Sequence, residues 1–379
     1  MIIHTKIKSQ EIGVGEAIAW AAYDQKGRLL LNKGTMIQSQ RQLDALLERG
    51  LYRARHEDKP IERKPAKGLL KNYERPVNPF QQLHDFTFRI RDINHALRDT
   101  LPGSGEQILR LAQDVQRMCK DDFDATLGAV HLAKDFDYVD IHPLHVAILC
   151  QLIADFLKYD QQRSLSLLSA AMTANVGMLD LQAKLHYQET PLNQEQRDEV
   201  QQHPEKSVHI LKAVGIDDPV WLDAVAQHHE CVDGSGYAGL KGDDIMEEAR
   251  IIGLADRYAA MITGRSYRAG KAPSECLKNL FLTKGNAYDE TLSLAFIKSL
   301  GVFPPGSFVH LENGEIAVVI RRPAKSMSTT VKSIISSRGG HYKKPVHREC
   351  GKSGTDIKKS HLPRTLPPLD LPSLWDYEV

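Results

Sequence analysis

The sequence predicts a mainly α-helical protein, with a small α+β module before the helices and a small β unit after them. Apolar residues recur every three or four positions through much of residues 80–300, the period of helices that bury one face. Residues 57–79 are rich in lysine, glutamate, arginine and proline, which indicates a linker. Near the C-terminus, Asn313-Gly314 lies between two apolar runs and indicates a β-hairpin.

The composition indicates a soluble globular protein. The chain has 379 residues, 42% hydrophobic and 26% charged, and a formal net charge of +1. That charge gives no overall attraction to nucleic acid. The most apolar run, residues 145–157, is shorter than the ~20 residues of a membrane-spanning helix. The N-terminus lacks a signal peptide's apolar segment, and five scattered cysteines indicate free thiols. We therefore expect a cytoplasmic protein with no membrane span and no nucleic-acid partner.

Residues 1–56 are predicted to form the α+β module. Two short segments, residues 17–23 and 28–31, flank a glycine-containing turn and are typical of paired strands. We expect a short helix at residues 39–50, with Ser39 as its N-cap and Gly50 after its last turn. This unit is interpreted as a module placed before the helical domain.

Residues 301–379 are predicted to be a small β unit with a basic tail. The hairpin strands lie at residues 308–311 and 316–320. Residues 321–364 then contain twelve lysines and arginines against only two acidic residues, Glu349 and Asp356. Tyr342 is the lone aromatic residue in this stretch, so the stacking platform of a nucleic-acid-binding surface is not supported. We expect a solvated tail.

Histidines carry the clearest chemical signal in the helical region. His228 and His229 follow an apolar helical stretch and precede a glycine-rich loop, and Asp256 follows in a later helix. His142 and His203 are expected at the ends of other helices of the same bundle. Imidazole and carboxylate groups are suitable ligands for a divalent metal. From these residues alone, a metal site and a hydrogen-bonded structural cluster both remain open.

The order of these motifs resembles the HD-GYP subgroup of the HD phosphohydrolases. From His228 the chain has His-His-Glu-x-x-Asp-Gly-Ser-Gly-Tyr, followed by Gly-Leu-Lys-Gly, Arg-Ile, Ala-Asp and an Arg-Ser-Tyr-Arg that ends at Arg268. The resemblance covers roughly residues 125–300. It implies an all-helical HD-domain bundle that holds two or three metals, commonly iron or manganese. It also implies hydrolysis of cyclic di-GMP to linear products.

The resemblance also implies roles for individual residues. By position, the metal ligands are His142, His203, His228, His229 and Asp256. Tyr237 matches the tyrosine of the GYP loop, which in the family serves recognition by partner signalling proteins. Three arginines are candidates for phosphate contacts, since a guanidinium group matches phosphate oxygens: Arg250, Arg265 and Arg268. Without the family pattern, these arginines would be read as an ordinary solvated helix face.

The chain departs from the family at the pair that gives HD domains their name. Where the family has Leu-Leu-His-Asp-Ile-Gly-Lys, this chain has Met172-Thr-Ala-Asn-Val-Gly-Met178. Ala174, Asn175 and Met178 thus replace the histidine, the aspartate and the lysine. The family's aspartate bridges two metals, and its lysine faces the scissile phosphate. No catalytic residue is therefore assigned.

Two smaller departures lie nearby. Tyr138, four residues before His142, stands where some family members have a glutamate for a third metal. Ala238 replaces the proline of the GYP loop, and the segment up to Leu240 is one residue short. Partner recognition through this loop is affected as well.

Three hypotheses follow. The first is a degenerate HD-GYP signalling protein that binds cyclic di-GMP or a partner protein without efficient turnover. The second is an active metal-dependent phosphodiesterase with a reduced site, in which three histidines hold one iron or manganese ion and Asn175 is a weak fourth ligand. Its general base would be Asp256 or Glu230. The third is an interaction scaffold without a ligand.

Overall fold

The computed structural model describes most of the chain from residue 78 onward and short segments before it. The described residues are 4–6, 18, 22–23, 29–31, 35, 52–54, 78–133, 136–264, 270–283, 287–323, 328–352, 354–363 and 369–377. The chain divides into two compact units, Met1–Tyr73 and Glu74–Val379.

The first unit contains a small antiparallel sheet. Its strands are β1 (His4–Lys6), β2 (Ala22–Tyr23), β3 (Leu29–Leu31) and β4 (Tyr52–Ala54), in the order β1-β4-β2-β3. The predicted strand pair is present as β2 and β3, which pair antiparallel but are shorter than expected. The helix predicted at residues 39–50 lies outside the described residues.

Helices form most of the second unit, as the sequence predicts. They are α1 (Pro79–Arg98), α2 (Ser104–Asp121), α3 (Phe123–Leu132), α4 (Tyr138–Leu157), α5 (Gln161–Thr173), α6 (Leu179–Tyr187), α7 (Gln194–Ala213), α8 (Pro219–Gln227), α9 (Glu247–Thr263), α10 (Pro273–Thr283) and α11 (Glu290–Leu300). A 3-10 turn at Val176–Met178 joins α5 to α6. The predicted helical bundle is confirmed.

Helix α4 lies at the centre of this bundle. It contacts helices on all its sides, including α1, α2, α5, α9 and α11. Its residues from Ile141 to Ala154 are all buried, which explains their near-continuous apolar sequence. Among the described residues, two helical stretches are long and apolar enough to cross a membrane, Tyr138–Leu157 and Gln161–Tyr187. Most of each stretch is buried inside the protein, as core helices are.

The C-terminal residues form an antiparallel sheet. Its strands are β5 (Phe308–Leu311), β6 (Ile316–Arg321), β7 (Thr330–Ile335), β8 (His341–Glu349) and β9 (Ile357–His361), in the order β8-β7-β6-β5-β9. The predicted hairpin is present, with Phe308 opposite Val318, and Gly314 in its turn has a φ of 85°. That positive φ favours the glycine predicted there.

The basic stretch expected to be a solvated tail instead supplies β7, β8 and β9. Strands β8 and β9 are the two edges of the sheet, and they carry Lys343, Lys344, Lys358 and Lys359. Lysines on edge strands oppose pairing with other chains. The basic residues that indicated a solvated tail therefore include the lysines of two exposed edge strands.

The sheet is fastened to the helices by the C-terminal segment. A short helix, α12 (Leu371–Leu374), places the Trp375 ring so close to Gly128 of α3 that a Cβ at Gly128 would lie 2.3 Å from it. The Trp375 indole N–H donates to the Ile320 carbonyl at 2.9 Å, and its ring lies 5.1 Å from Phe80. Arg321 also pairs with Asp122 at the start of α3. The structure thus differs from the predicted boundary at residue 300, since residues 74–379 form one compact unit.

We expect Trp375→Ala to destabilise this unit by about 3–5 kcal/mol, the usual cost of removing a buried tryptophan side chain. Trp375 is 4% exposed, whereas the control residue Leu362 is 50% exposed. Leu362→Ala should change the free energy of unfolding by less than about 0.5 kcal/mol. Urea unfolding measures both variants. Equal stability of the two would contradict the role given to Trp375.

Candidate metal centre

Three of the predicted metal ligands converge in the helical domain. His203 lies on α7, and His228 and His229 follow α8. One ring nitrogen from each lies within 4.8 Å of the other two. The Nε2 atoms of His203 and His228 are 3.2 Å apart. His203 and His228 are almost fully buried, at 0% and 1% exposed. A single small cation fits between nitrogens at these separations.

A proline orients His203. The sequence predicted His203 at an end of a helix, but α7 continues through both His203 and Pro204. Pro204 has no N–H, so it cannot bond the Val200 carbonyl four residues earlier. His203 Nδ1 donates to that carbonyl at 2.5 Å instead. The hydrogen bond fixes the ring and leaves Nε2 without a proton.

His228 is held in the same way. Its Nδ1 donates to the Val225 carbonyl at 2.7 Å, so its Nε2 also carries a lone pair. The Nε2 atoms of His203 and His228 therefore face each other, each with a lone pair and neither with a proton. They cannot form a hydrogen bond with each other. A cation satisfies both, and histidine ligands of metals commonly donate their other N–H to a carbonyl in this manner. The residues present therefore fit a divalent metal.

The protonation states also suit a metal. Burial lowers the pKa of His203 to about 3, with a further contribution from His228. Burial likewise lowers the pKa of His228 and His229. All three rings are therefore neutral near pH 7, which is the form that binds a metal.

His142 and Asp256, the other two predicted ligands, bond each other rather than join the group of three. His142 on α4 and Asp256 on α9 meet with Nε2 and Oδ1 2.8 Å apart. Burial alone would raise the pKa of Asp256, but the hydrogen bond from His142 and the neighbouring histidines lower it. Asp256 is therefore an ionised carboxylate beside the three histidines.

Ala174 and Asn175 directly precede the 3-10 turn at Val176–Met178, which packs against α7. Ala174 is 2% exposed, and its carbonyl accepts a hydrogen bond from the Ser207 hydroxyl at 2.8 Å. Asn175 is 7% exposed, and its Oδ1 atom is buried with no hydrogen-bond partner in the structure. An unsatisfied buried oxygen is costly, so this atom is suited to a neutral fourth ligand.

Tyr138 fills the position where some family members have a glutamate. Its ring stacks between two imidazoles, 4.7 Å from His142 and 4.8 Å from His186. Tyr138 therefore offers no carboxylate ligand for a third metal at this position.

Glu230 holds the loop that carries Tyr237. Its two carboxylate oxygens accept the backbone N–H groups of Ala238 at 2.8 Å and Leu240 at 2.9 Å. Tyr237 then packs 4.8 Å from the His229 ring. Both oxygens of Glu230 are thus occupied, which argues against Glu230 as a general base. Asp256 is the carboxylate that remains available.

Two cavities flank the histidines. The histidine cavity, of about 370 Å³, is lined by His228, His229, Tyr237, Arg250, Asp256 and Tyr288, among others. The Asn175 cavity, of about 230 Å³, is lined by Tyr138, Asn175, Met178, His186, His229 and Asp256, among others. Because both cavities share His229, Tyr237 and Asp256, the metal centre lies between them.

Of the three arginines predicted to contact phosphate, the structure describes Arg250. Arg250 lines the histidine cavity, but its guanidinium pairs with Asp289 at 2.8 Å. Arg265 and Arg268 lie outside the described residues. Arg257, which the sequence analysis missed, is exposed and lines the same cavity, with its guanidinium 5.6 Å from the Tyr288 ring centre. Its position next to Asp256 in the sequence was the available signal.

We expect purified protein loaded anaerobically with iron or manganese to retain about one ion per chain, and His228→Ala to lose it. The control is His209→Ala, because His209 is an exposed histidine on the same helix as His203. Elemental analysis after desalting measures the metal. Equal metal content in His228→Ala and the wild type would refute the three-histidine centre.

We expect Glu230→Gln to loosen the Tyr237 loop, because an amide nitrogen cannot accept the N–H of Ala238 or Leu240. Amide hydrogen exchange at those two residues should accelerate by about tenfold or more. Glu205→Gln removes the same charge from an exposed position on α7 and serves as the control. Unchanged exchange in Glu230→Gln would show that the carboxylate does not hold the loop.

The candidate metal centre lies within a stretch of the chain that is similar to known proteins. A family model described as an HD domain matches residues 139–292. A cyclic di-GMP phosphodiesterase of Pseudomonas aeruginosa is 26% identical over 217 residues, which cover 57% of this chain and 52% of that protein. Another, from Borreliella burgdorferi, is 24% identical over 185 residues, 48% of each chain. The chain thus spans about half the length of these relatives.

A relative named for a different substrate also matches. A 3'3'-cGAMP-specific phosphodiesterase of Vibrio cholerae is 30% identical over 137 residues, 36% of this chain and 32% of that protein. Among solved structures, the HDG"Y"P protein Bd1817 of Bdellovibrio bacteriovorus has a TM-score of 0.52 at 15% identity, covering 78% of this chain and 99% of that one. This likeness concerns the fold. The candidate metal centre therefore lies within residues 139–292, the stretch that matches the HD-domain model.

Proposed function

We propose that this protein binds a cyclic dinucleotide, cyclic di-GMP by relationship, beside one iron or manganese ion, and signals its presence without efficient hydrolysis. One observation carries the proposal. Three histidines whose nitrogens could hold a metal ion occur in the same site as Ala174, Asn175 and Met178. The site keeps groups that bind and lacks groups that the family uses for chemistry.

Each of the three replacements removes a different catalytic contribution. Ala174 has no ligand atom. Asn175 is neutral, so it cannot bridge two metal ions or help to deprotonate a water as a carboxylate does. Met178 lines the Asn175 cavity with an apolar side chain, so it offers no positive charge to a phosphate in the transition state. A single-metal site with these residues favours binding over turnover.

The cavities beside the histidines suit a nucleotide. The histidine cavity has a volume of about 370 Å³, within the range of small-molecule sites, and contains both aromatic and cationic groups. Tyr237 and Tyr288 offer ring surfaces for a base, and Arg257 offers a guanidinium for a phosphate. A bound metal supplies charge that neutralises phosphate oxygens.

The second candidate is an active phosphodiesterase with a reduced site. It is favoured by Asp256, an ionised carboxylate that borders both cavities and is oriented by His142. Asp256 would hold or accept the proton of an attacking water, and His142 would keep its carboxylate in place. A scaffold without a ligand is the third reading, and the exposed loop around Tyr237 is the surface we assign to a partner signalling protein. We place the protein in the cytoplasm.

We expect iron- or manganese-loaded protein, incubated anaerobically with cyclic di-GMP, to bind the nucleotide and leave it intact, because Ala174, Asn175 and Met178 supply no catalytic group. Chromatography detects any linear product, and calorimetry measures binding. His228→Ala should weaken binding, whereas His209→Ala should not.

Each other outcome selects a different reading. Linear product that disappears in His228→Ala would establish the active phosphodiesterase instead. If the folded protein retains no metal, binds no cyclic di-GMP and forms no linear product, the interaction scaffold is the hypothesis that remains.

A further inference from the structure

A third cavity lies beside the histidine cavity along α9. It has a volume of about 560 Å³, and its lining includes Arg257, Met261, Lys271, Asn279, Leu282 and Thr283. We call it the Lys271 cavity. Arg257 and Ala260 line both this cavity and the histidine cavity, so the two are neighbours on one face of α9.

The Lys271 cavity has a cationic rim. Arg257 is exposed, and Lys271 is 36% exposed at the side chain, with Glu275 at 3.6 Å as an exposed partner. No acidic residue lies among the described residues that line the cavity. Two cationic side chains that line one cavity, Arg257 and Lys271, are suited to bind phosphate oxygens.

The remaining lining suits a nucleobase. The Asn279 amide makes a long contact from Nδ2 to the Met261 sulfur at 4.0 Å, and a thioether is a weak acceptor. That amide is therefore able to donate to and accept from the edge of a base. Leu282 is 64% exposed and offers an apolar surface for a ring.

We propose that the Lys271 cavity receives the second nucleotide of a cyclic dinucleotide whose first nucleotide occupies the histidine cavity. A phosphate lies between Arg257 and Lys271, and Asn279 contacts the second base. This inference rests on the proposed function and adds selectivity to it: a cyclic dinucleotide fills both cavities, whereas a mononucleotide fills the histidine cavity alone.

The test is titration calorimetry of metal-loaded protein with cyclic di-GMP and, separately, with GMP. Lys271→Gln and Asn279→Ala should each weaken binding of cyclic di-GMP by about tenfold or more, the effect of losing one charged or base-edge contact. Binding of GMP should change by less than about twofold. Lys278→Gln is the matched control, because Lys278 is exposed on α10 and does not line the cavity.

The outcomes separate this inference from the proposed function. Wild-type protein that binds cyclic di-GMP with an affinity unchanged in both variants would overturn the second subsite and leave the proposed function standing. Equal weakening of GMP would also overturn it, because the variants would then act on the histidine cavity. Wild-type protein that binds neither nucleotide would overturn both. Thermal melting of each variant verifies that it is folded.

Discussion

The close approach of the 3-10 turn at residues 176–178 to α7 sets the geometry of the whole site. A Cβ on Gly177 would lie 2.7 Å from the His203 carbonyl oxygen and from the Ser207 backbone nitrogen, so only glycine permits this contact. Ser207 bonds both sides of the turn, donating to the Ala174 carbonyl and accepting the Gly177 N–H. The turn thereby fixes Asn175 near His203, and α7 brings His203 to the histidines after α8.

The side chains at positions 174, 175 and 178 can vary without loss of this arrangement. Residues 174–178 are held by backbone bonds to Ser207 and by the packing of Gly177, neither of which depends on the side chains at 174, 175 and 178. Small or apolar side chains there leave the backbone contacts intact. The fold and the chemistry of the site are therefore separable at these positions, while His203 and His228 remain constrained by their own carbonyl partners.

Much of the helical domain was readable from sequence because its motifs are local. The paired histidines, the glycine-rich loop and the helical period each lie in short stretches, and they predicted the bundle and the three-histidine group. Long-range pairings were not readable: the bond between His142 and Asp256 joins helices far apart in the chain. The basic strands β8 and β9 looked like a tail because edge strands carry the composition of solvated segments. The hydrogen bonds of Glu230, one of two candidate general bases, were not readable either, because its partners are backbone amides, which have no sequence signal.

The packing of Trp375 against α1 and α3 affects when the unit can complete its folding during synthesis. Trp375 packs on Phe80, the second residue of α1, so the first helix and the last segment of the unit complete one another. Contacts between distant parts of a chain form late, since closing a long loop is entropically costly. Phe80 therefore stays uncovered by Trp375 until the chain as far as Trp375 has left the ribosome. A newly made chain is for that interval open to chaperones and to aggregation.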